Sequence, residues 1–319
     1  MKDKPWIFSI MPSSTLLDLP GPVALACHDA GAANHIFSWM KADSETQPDA
    51  VSHWRLLAEG PAATLWTDYS LPEVYLCQSI DELLEGAQTL VSGTGWASSL
   101  EYNAIRKAHQ FGIYSIAVID HWINYRARFQ RDGVEVLPDE IWVSDRDARD
   151  IAIREFGDIK VTLKPNYYLE TIVHNVRTHE HTNNIGRNIL YVLEPVRGAW
   201  GGKGISGEIE ALNFFMAHIS ALGLSESPTI RLRPHPSDPA GKYDPWILEQ
   251  KGWNITLDNA PTLAESLAWS GVVVGCQTYA MVAALAAGRK VFSSIPPGAP
   301  PCVLPQADII KLSEIALSK

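Results

Sequence analysis

The chain has little cysteine: four in 319 residues, at Cys27, Cys77, Cys276 and Cys302. They are widely scattered, with no C-x-x-C pair and no zinc-type spacing. Neither a disulfide framework nor a structural zinc site is expected, and packed thiols fit a reducing compartment. Basic residues are also few, 26 Lys and Arg against 36 Asp and Glu, for a formal net charge of −10. That balance argues against general affinity for nucleic acid or anionic lipid; an anionic ligand would need a local cationic pocket. No run of about 18 apolar residues exists to span a membrane. The apolar stretch after the first five residues is broken by Ser9, Pro12, Ser13 and Ser14 and makes a poor signal peptide. The expected location is the cytoplasm, with peripheral membrane contact left open. Short-period repeats and low-complexity tracts are absent as well.

What is present is alternation. Short apolar runs end in Gly, Ser, Asp or His and give way to helical patterns. Strands are expected at Val23–Cys27, Trp54–Leu57, Thr89–Ser92, Tyr114–Ile119 and Glu140–Val143. After a polar stretch from Lys164 to Arg187, a second series follows at Ile189–Leu193, Thr229–Leu232, Asn254–Leu257, Gly271–Val274 and Lys290–Phe292. Strands alternating with helices imply parallel sheets covered on both faces. The length suits two domains, read as 1–175 and 188–305. A last helix over about 309–317, within a tail of 306–319, is expected to pack back on the first domain.

Ligands of open parallel sheets bind beyond the carboxyl ends of the strands, and the candidate residues lie there. Gly275-Cys276-Gln277-Thr278-Tyr279 opens a helix whose first amides suit a phosphate, with Gln277 and Thr278 as added donors. Arg233-Pro234-His235-Pro236 sets a cation and an imidazole on stiffened backbone. The glycine-rich run from Glu194 to Gly204 offers Arg197 and Lys203 to neutralise phosphate charge, although it lacks Walker spacing. In the first half, Asp120 and His121 end an apolar strand and are placed to remove a hydroxyl proton, with Asp29 a second candidate base. Asp145-Arg146-Asp147 matches a metal-binding Asp-x-Asp pattern but reads as a helix start. No metal site and no cofactor are expected.

These features, Arg-Pro-His-Pro after a strand and then a small-residue turn opening an alanine-rich helix, resemble the donor half of GT-B glycosyltransferases over about residues 188–295. The likeness is to bacterial enzymes with a His-Pro motif: capsule and lipooligosaccharide sialyltransferases, Kdo transferases and CDP-glycerol glycerophosphotransferases. The resemblance implies two Rossmann-like α/β domains facing a cleft, with His235 and Thr278 on the donor phosphate. It also implies a cytidine nucleotide. The loop at Asp120-His121 is placed like one that supplies catalytic or acceptor groups in GT-B enzymes and UDP-GlcNAc 2-epimerases. The acidic-acidic-Gly motif of sialyltransferases is absent, and the serine-rich turn reads Gly-Cys-Gln-Thr. The implied activity is metal-independent transfer of a sugar or sugar-like group from a nucleotide-activated donor to a hydroxyl acceptor, a glycan or small molecule, in bacterial surface polysaccharide biosynthesis. Two alternatives share the frame: a nucleotide-sugar epimerase or hydrolase, and a catalytically silent binding protein.

Overall fold

The computed structural model describes residues 15–69, 71, 74–95, 98–180, 185–196, 198, 200, 204–224 and 228–316. Two compact units are present, Met1–Tyr168 and Leu169–Lys319.

The first unit is built on a seven-stranded sheet. Its strands are β1 (Val23–Cys27), β2 (Trp54–Ala58), β3 (Tyr75–Leu76), β4 (Thr89–Ser92), β5 (Tyr114–Val118), β8 (Glu140–Val143) and β9 (Lys160–Leu163). A separate antiparallel ribbon joins β6 (Gln130–Arg131) to β7 (Val134–Glu135). The sheet order is β3-β2-β1-β4-β5-β8-β9, with every pairing parallel. Strands β1, β4 and β8 are buried at every position, as expected of strands covered on both faces. The crossovers are α1 (Ala30–Thr46), α2 (Gly60–Asp68), α3 (Ile80–Leu84), α4 (Leu100–Phe111) and α5 (Arg146–Phe156). Gly112 stops α4 in the left-handed conformation, φ 66°, and Asp145 caps α5 by accepting from Ala148 N–H at 2.7 Å. The Asp-x-Asp run is therefore a helix start, and Trp122 Nε1–H also donates to the Asp145 carboxylate.

The second unit has a six-stranded sheet in the order β12-β11-β10-β13-β14-β15. Its strands are β10 (Asn188–Val192), β11 (Thr229–Arg233), β12 (Asn254–Leu257), β13 (Val272–Gly275), β14 (Lys290–Ser293) and β15 (Ile310–Lys311), all paired parallel. Helices α7 (Gly207–Ala217), α8 (Asp244–Glu249), α9 (Leu263–Trp269), α10 (Tyr279–Ala286) and α11 (Leu312–Ala316) complete it. Its core gathers Tyr191, Leu212, Phe215, Leu232, Trp246, Val274 and Phe292.

Two expectations differ from the structure. The polar stretch at 164–187 contains helix α6 (Tyr167–His179), which buries Leu169, Ile172, Val173 and Val176. Their spacing is that of one helical face, hidden in the sequence by the tyrosines, histidines and asparagines around it. The boundary between units falls at 168/169, inside that polar stretch. The tail expected to return to the first domain instead joins the second sheet: Ile310 pairs beside Phe292, and Leu312 is fully buried in the second unit's core. The β-branched residues Ile309 and Ile310 favour that added strand. No helix among the described residues is long and apolar enough to cross a membrane.

Candidate functional site

In both sheets the strand order reverses at one point, between β1 and β4 and between β10 and β13. Open α/β sheets bind ligands at such points.

In the first unit, the residues there are acidic. His28 follows β1, and its Nδ1 lies 2.7 Å from Oδ1 of Asp29. A carboxylate only accepts, so the ring proton sits on Nδ1 and Nε2 carries the lone pair. Asp29 occupies the N-cap position of α1 without making a capping hydrogen bond. Two glycines make room for this pair. A Cβ on Gly95 would lie 2.5 Å from the Asp29 carboxylate, and one on Gly60 would lie 2.6 Å from His28 Nε2. Gly95, just past β4, is thus a seat for the Asp29 carboxylate. Beneath it, Glu101 on α4 is 2% exposed. Its Oε1 accepts from His28 N–H at 2.8 Å, while Oε2 has no partner among the described residues. Burial pushes the Glu101 carboxyl up, and the bond from His28 offsets this only in part.

Asp120 lies at the end of the neighbouring strand β5, but its carboxylate is engaged. Oδ1 accepts from Arg128 Nη1 at 3.0 Å, and the same guanidinium nitrogen reaches Thr94 O and Oγ1. Oδ2 rests on the first turn of α1, where a Cβ on Gly31 would approach it to 1.7 Å. His121 is half-buried beside Trp122 with its Nδ1 enclosed and unpartnered among the described residues. Burial holds its pKa below the ordinary histidine value.

The second unit presents hydrogen-bond donors. Thr278 sits at the N-cap of α10 in extended backbone, and its hydroxyl makes no capping bond. Gln277 N–H donates to Glu194 Oε2 at 3.0 Å, and Gln277 Oε1 accepts from Val303 N–H. By contrast, the start of α7 is closed by its own loop: Gly207 and Glu208 N–H donate to Gly198 O and Val196 O. His235 lies just past β11. Its Nδ1 accepts from Ser237 N–H at 3.1 Å, which leaves the ring proton of the neutral form on Nε2. Arg233 points elsewhere: Nη1 donates to Asp258 Oδ2 at 2.6 Å, Ser266 Oγ at 2.7 Å and Ala260 O at 3.1 Å. Arg197 and Lys203 lie outside the described residues. The structure thus brings Thr278 and Gln277 together at one turn and commits Arg233 to a buried carboxylate.

No protein-family model and no curated protein matches the chain. Solved structures do. The UDP-GlcNAc 2-epimerase of Methanocaldococcus jannaschii gives a TM-score of 0.59 at 10% identity, over 85% of this chain and 83% of that one. S. aureus MnaA, solved with UDP, gives 0.59 at 11% identity over 85% and 78%. The UDP-GlcNAc 2-epimerase of Neisseria meningitidis, solved with UDP-GlcNAc, gives 0.54 at 11% identity over 85% and 81%. The fold is GT-B-like. At such identities the likeness reaches the fold and no residue role, so the site rests on its own geometry. Sequence reasoning did not select His28, Glu101 or Arg128. Glu101 had a signal, since it occupies a place on the buried stripe of α4 with Ile105 and Ala108.

Proposed function

We propose that this chain acts on a nucleotide-activated sugar and transfers the sugar to a hydroxyl group, the acceptor belonging to a bacterial surface glycan. The observation that carries this reading is the His28–Asp29 pair at the reversal point of the first sheet. Asp29 holds the imidazole in the tautomer that presents Nε2 as a base, and Nε2 takes the acceptor proton as its oxygen attacks the sugar carbon. In the second unit the first turn of α10, the Thr278 hydroxyl and His235 Nε2–H are the donors suited to a nucleotide phosphate. Asp120 then serves to hold Arg128 and the start of α1. Activity in the presence of a metal chelator is the expected outcome.

The resemblance of residues 188–295 favours a cytidine nucleotide. Two of the similar solved structures were determined with UDP or UDP-GlcNAc, which makes uridine donors the first to test.

A second reading, epimerisation of a nucleotide sugar, is favoured by the names of those same relatives. One assay separates the two. UDP- and CMP-linked sugars are incubated with and without glycan acceptors, and nucleotide and sugar products are resolved. Transfer requires nucleotide release that depends on the acceptor and is lost in His28→Ala. Change at carbon 2 of UDP-GlcNAc without acceptor would establish the epimerase instead. Binding without turnover of any donor would leave a silent binding protein.

A further inference from the structure

We propose that Lys242 is a positioning residue that fixes the His-Pro loop and, through it, holds His235 in the tautomer that donates from Nε2; this rests on the reading of His235 as a phosphate ligand. The lysine reaches two buried carboxylates. Its Nζ lies 2.7 Å from Asp238 Oδ1 and 2.6 Å from Glu208 Oε1, and the two acidic side chains are 0% and 4% exposed. Asp238 is the hub of the loop. Its Oδ2 accepts from His235 N–H at 3.0 Å and from Tyr243 Oη–H at 2.9 Å, and its own N–H donates to His235 O at 2.8 Å. Burial pushes the Asp238 carboxyl up, yet the bonds from Lys242, Tyr243 and His235 outweigh it and hold the group ionised.

The consequence reaches the imidazole. With Asp238 gripping the backbone of His235, residues 235–238 form a closed turn in which Ser237 N–H points at His235 Nδ1 and the Ser237 hydroxyl lies 2.8 Å from the same atom. A backbone N–H can only donate, so Nδ1 must accept. The histidine is therefore set as an Nε2–H donor before any ligand arrives, which lowers the ordering cost of binding. Glu208 adds a second link. It is the second residue of α7, and its N–H closes on Val196 O at the base of the glycine-rich loop. Lys242 thus ties the His-Pro loop to the start of α7. A lone lysine making a surface ion pair would do none of this, because such pairs hold little geometry.

The test combines calorimetry with UDP and CDP and NMR of the histidine ring nitrogens in full-length protein. Wild type is expected to show His235 with a protonated Nε2 and an unprotonated Nδ1. Lys242→Met is expected to mix the tautomers and weaken the bound nucleotide about ten-fold, and Lys242→Arg to restore most of both. A folded Lys242→Met protein with wild-type affinity and unchanged His235 ring signals overturns the proposal. If Lys242→Met does not fold, Asp238→Asn takes its place with the same expectations. His235→Ala separates the levels: wild-type affinity in that variant removes His235 from the phosphate site, whereas weakened affinity there with none in Lys242→Met removes only the role given to Lys242.

Discussion

Single residues at the first unit's reversal point divide by what they already hold. Asp120 is paired with Arg128, whose side chain is 6% exposed. Breaking a pair around so buried a guanidinium is costly, so Asp120→Asn is expected to lower stability by about 2–3 kcal/mol. Turnover should persist in the folded fraction. His28→Ala is expected to do the reverse, cutting turnover by about 10²–10⁴ with a near-native melting temperature. Parallel melting and turnover measurements check both, and a dead Asp120→Asn with unchanged melting would return the base to that loop. A second residue prediction concerns pH. His35 is 2% exposed, and burial lowers its pKa from 6.5 to about 4. Below pH 6.5 the unfolded chain binds a proton that the folded chain refuses until pH approaches 4, so stability falls as pH falls through that window. The loss between pH 7.5 and 5 is about 2 kcal/mol, and it should be missing from His35→Gln when urea midpoints are compared at the two pH values. This scale was the least legible in the sequence. Asp29 and Asp120 could be picked because strand ends are easily located. Which carboxylate was already neutralised depended on Arg128, eight positions beyond Asp120 and brought back by a 3-10 turn, Arg126–Phe129, that no period announces.

Elements of the second unit show two threonines at helix starts with opposite assignments. Thr262 caps α9: its Oγ1 accepts from Glu265 N–H at 3.2 Å and lies 2.9 Å from the Glu265 carboxylate. Thr278 occupies the same position on α10 and makes no such bond. Thr262→Ala is expected to cost about 1 kcal/mol of stability and leave nucleotide affinity alone. Thr278→Ala is expected to leave the melting temperature alone and weaken nucleotide binding several-fold. Denaturant titration and calorimetry on the two variants read the contrast, and a Thr278→Ala protein that loses stability without losing affinity would make Thr278 an ordinary cap. The strands that are continuous apolar runs, such as Val272–Val274, were read from the sequence to within a residue or two, whereas β9 (Lys160–Leu163), exposed or only partly buried along its length, was not read. Helix α6 was missed because its buried face is only four residues wide in a polar surround, and β3 because its two residues, Tyr75 and Leu76, are both exposed.

At the scale of the whole molecule, the two units use one topology in opposite ways. The first sheet's reversal point is lined by Asp29, Glu101 and Asp120, with Asp120 Oδ2 lying against Gly31 of α1. The second sheet's reversal point ends in a turn whose Thr278 hydroxyl makes no capping bond, and the loop after β11 fixes His235 as a donor. A chain of net charge −10 needs such a local arrangement to hold a phosphate at all, since its summed field repels anions. The doubled sheet was legible from alternation alone, but this division was not, because it turns on which side chains the fold gathers at each reversal point. Hydrogen exchange tests it without a known acceptor. Added UDP or CDP is expected to slow exchange at residues 235–238 and 278–281, where a phosphate would engage amides and the His-Pro turn. Residues 30–33, at the start of α1, should exchange at the same rate with and without nucleotide, since Asp29, Glu101 and Asp120 make that reversal point unfavourable for a phosphate. Protection at 30–33 with none at 278–281 would invert the assignment, placing the nucleotide in the first unit and leaving the second to the acceptor.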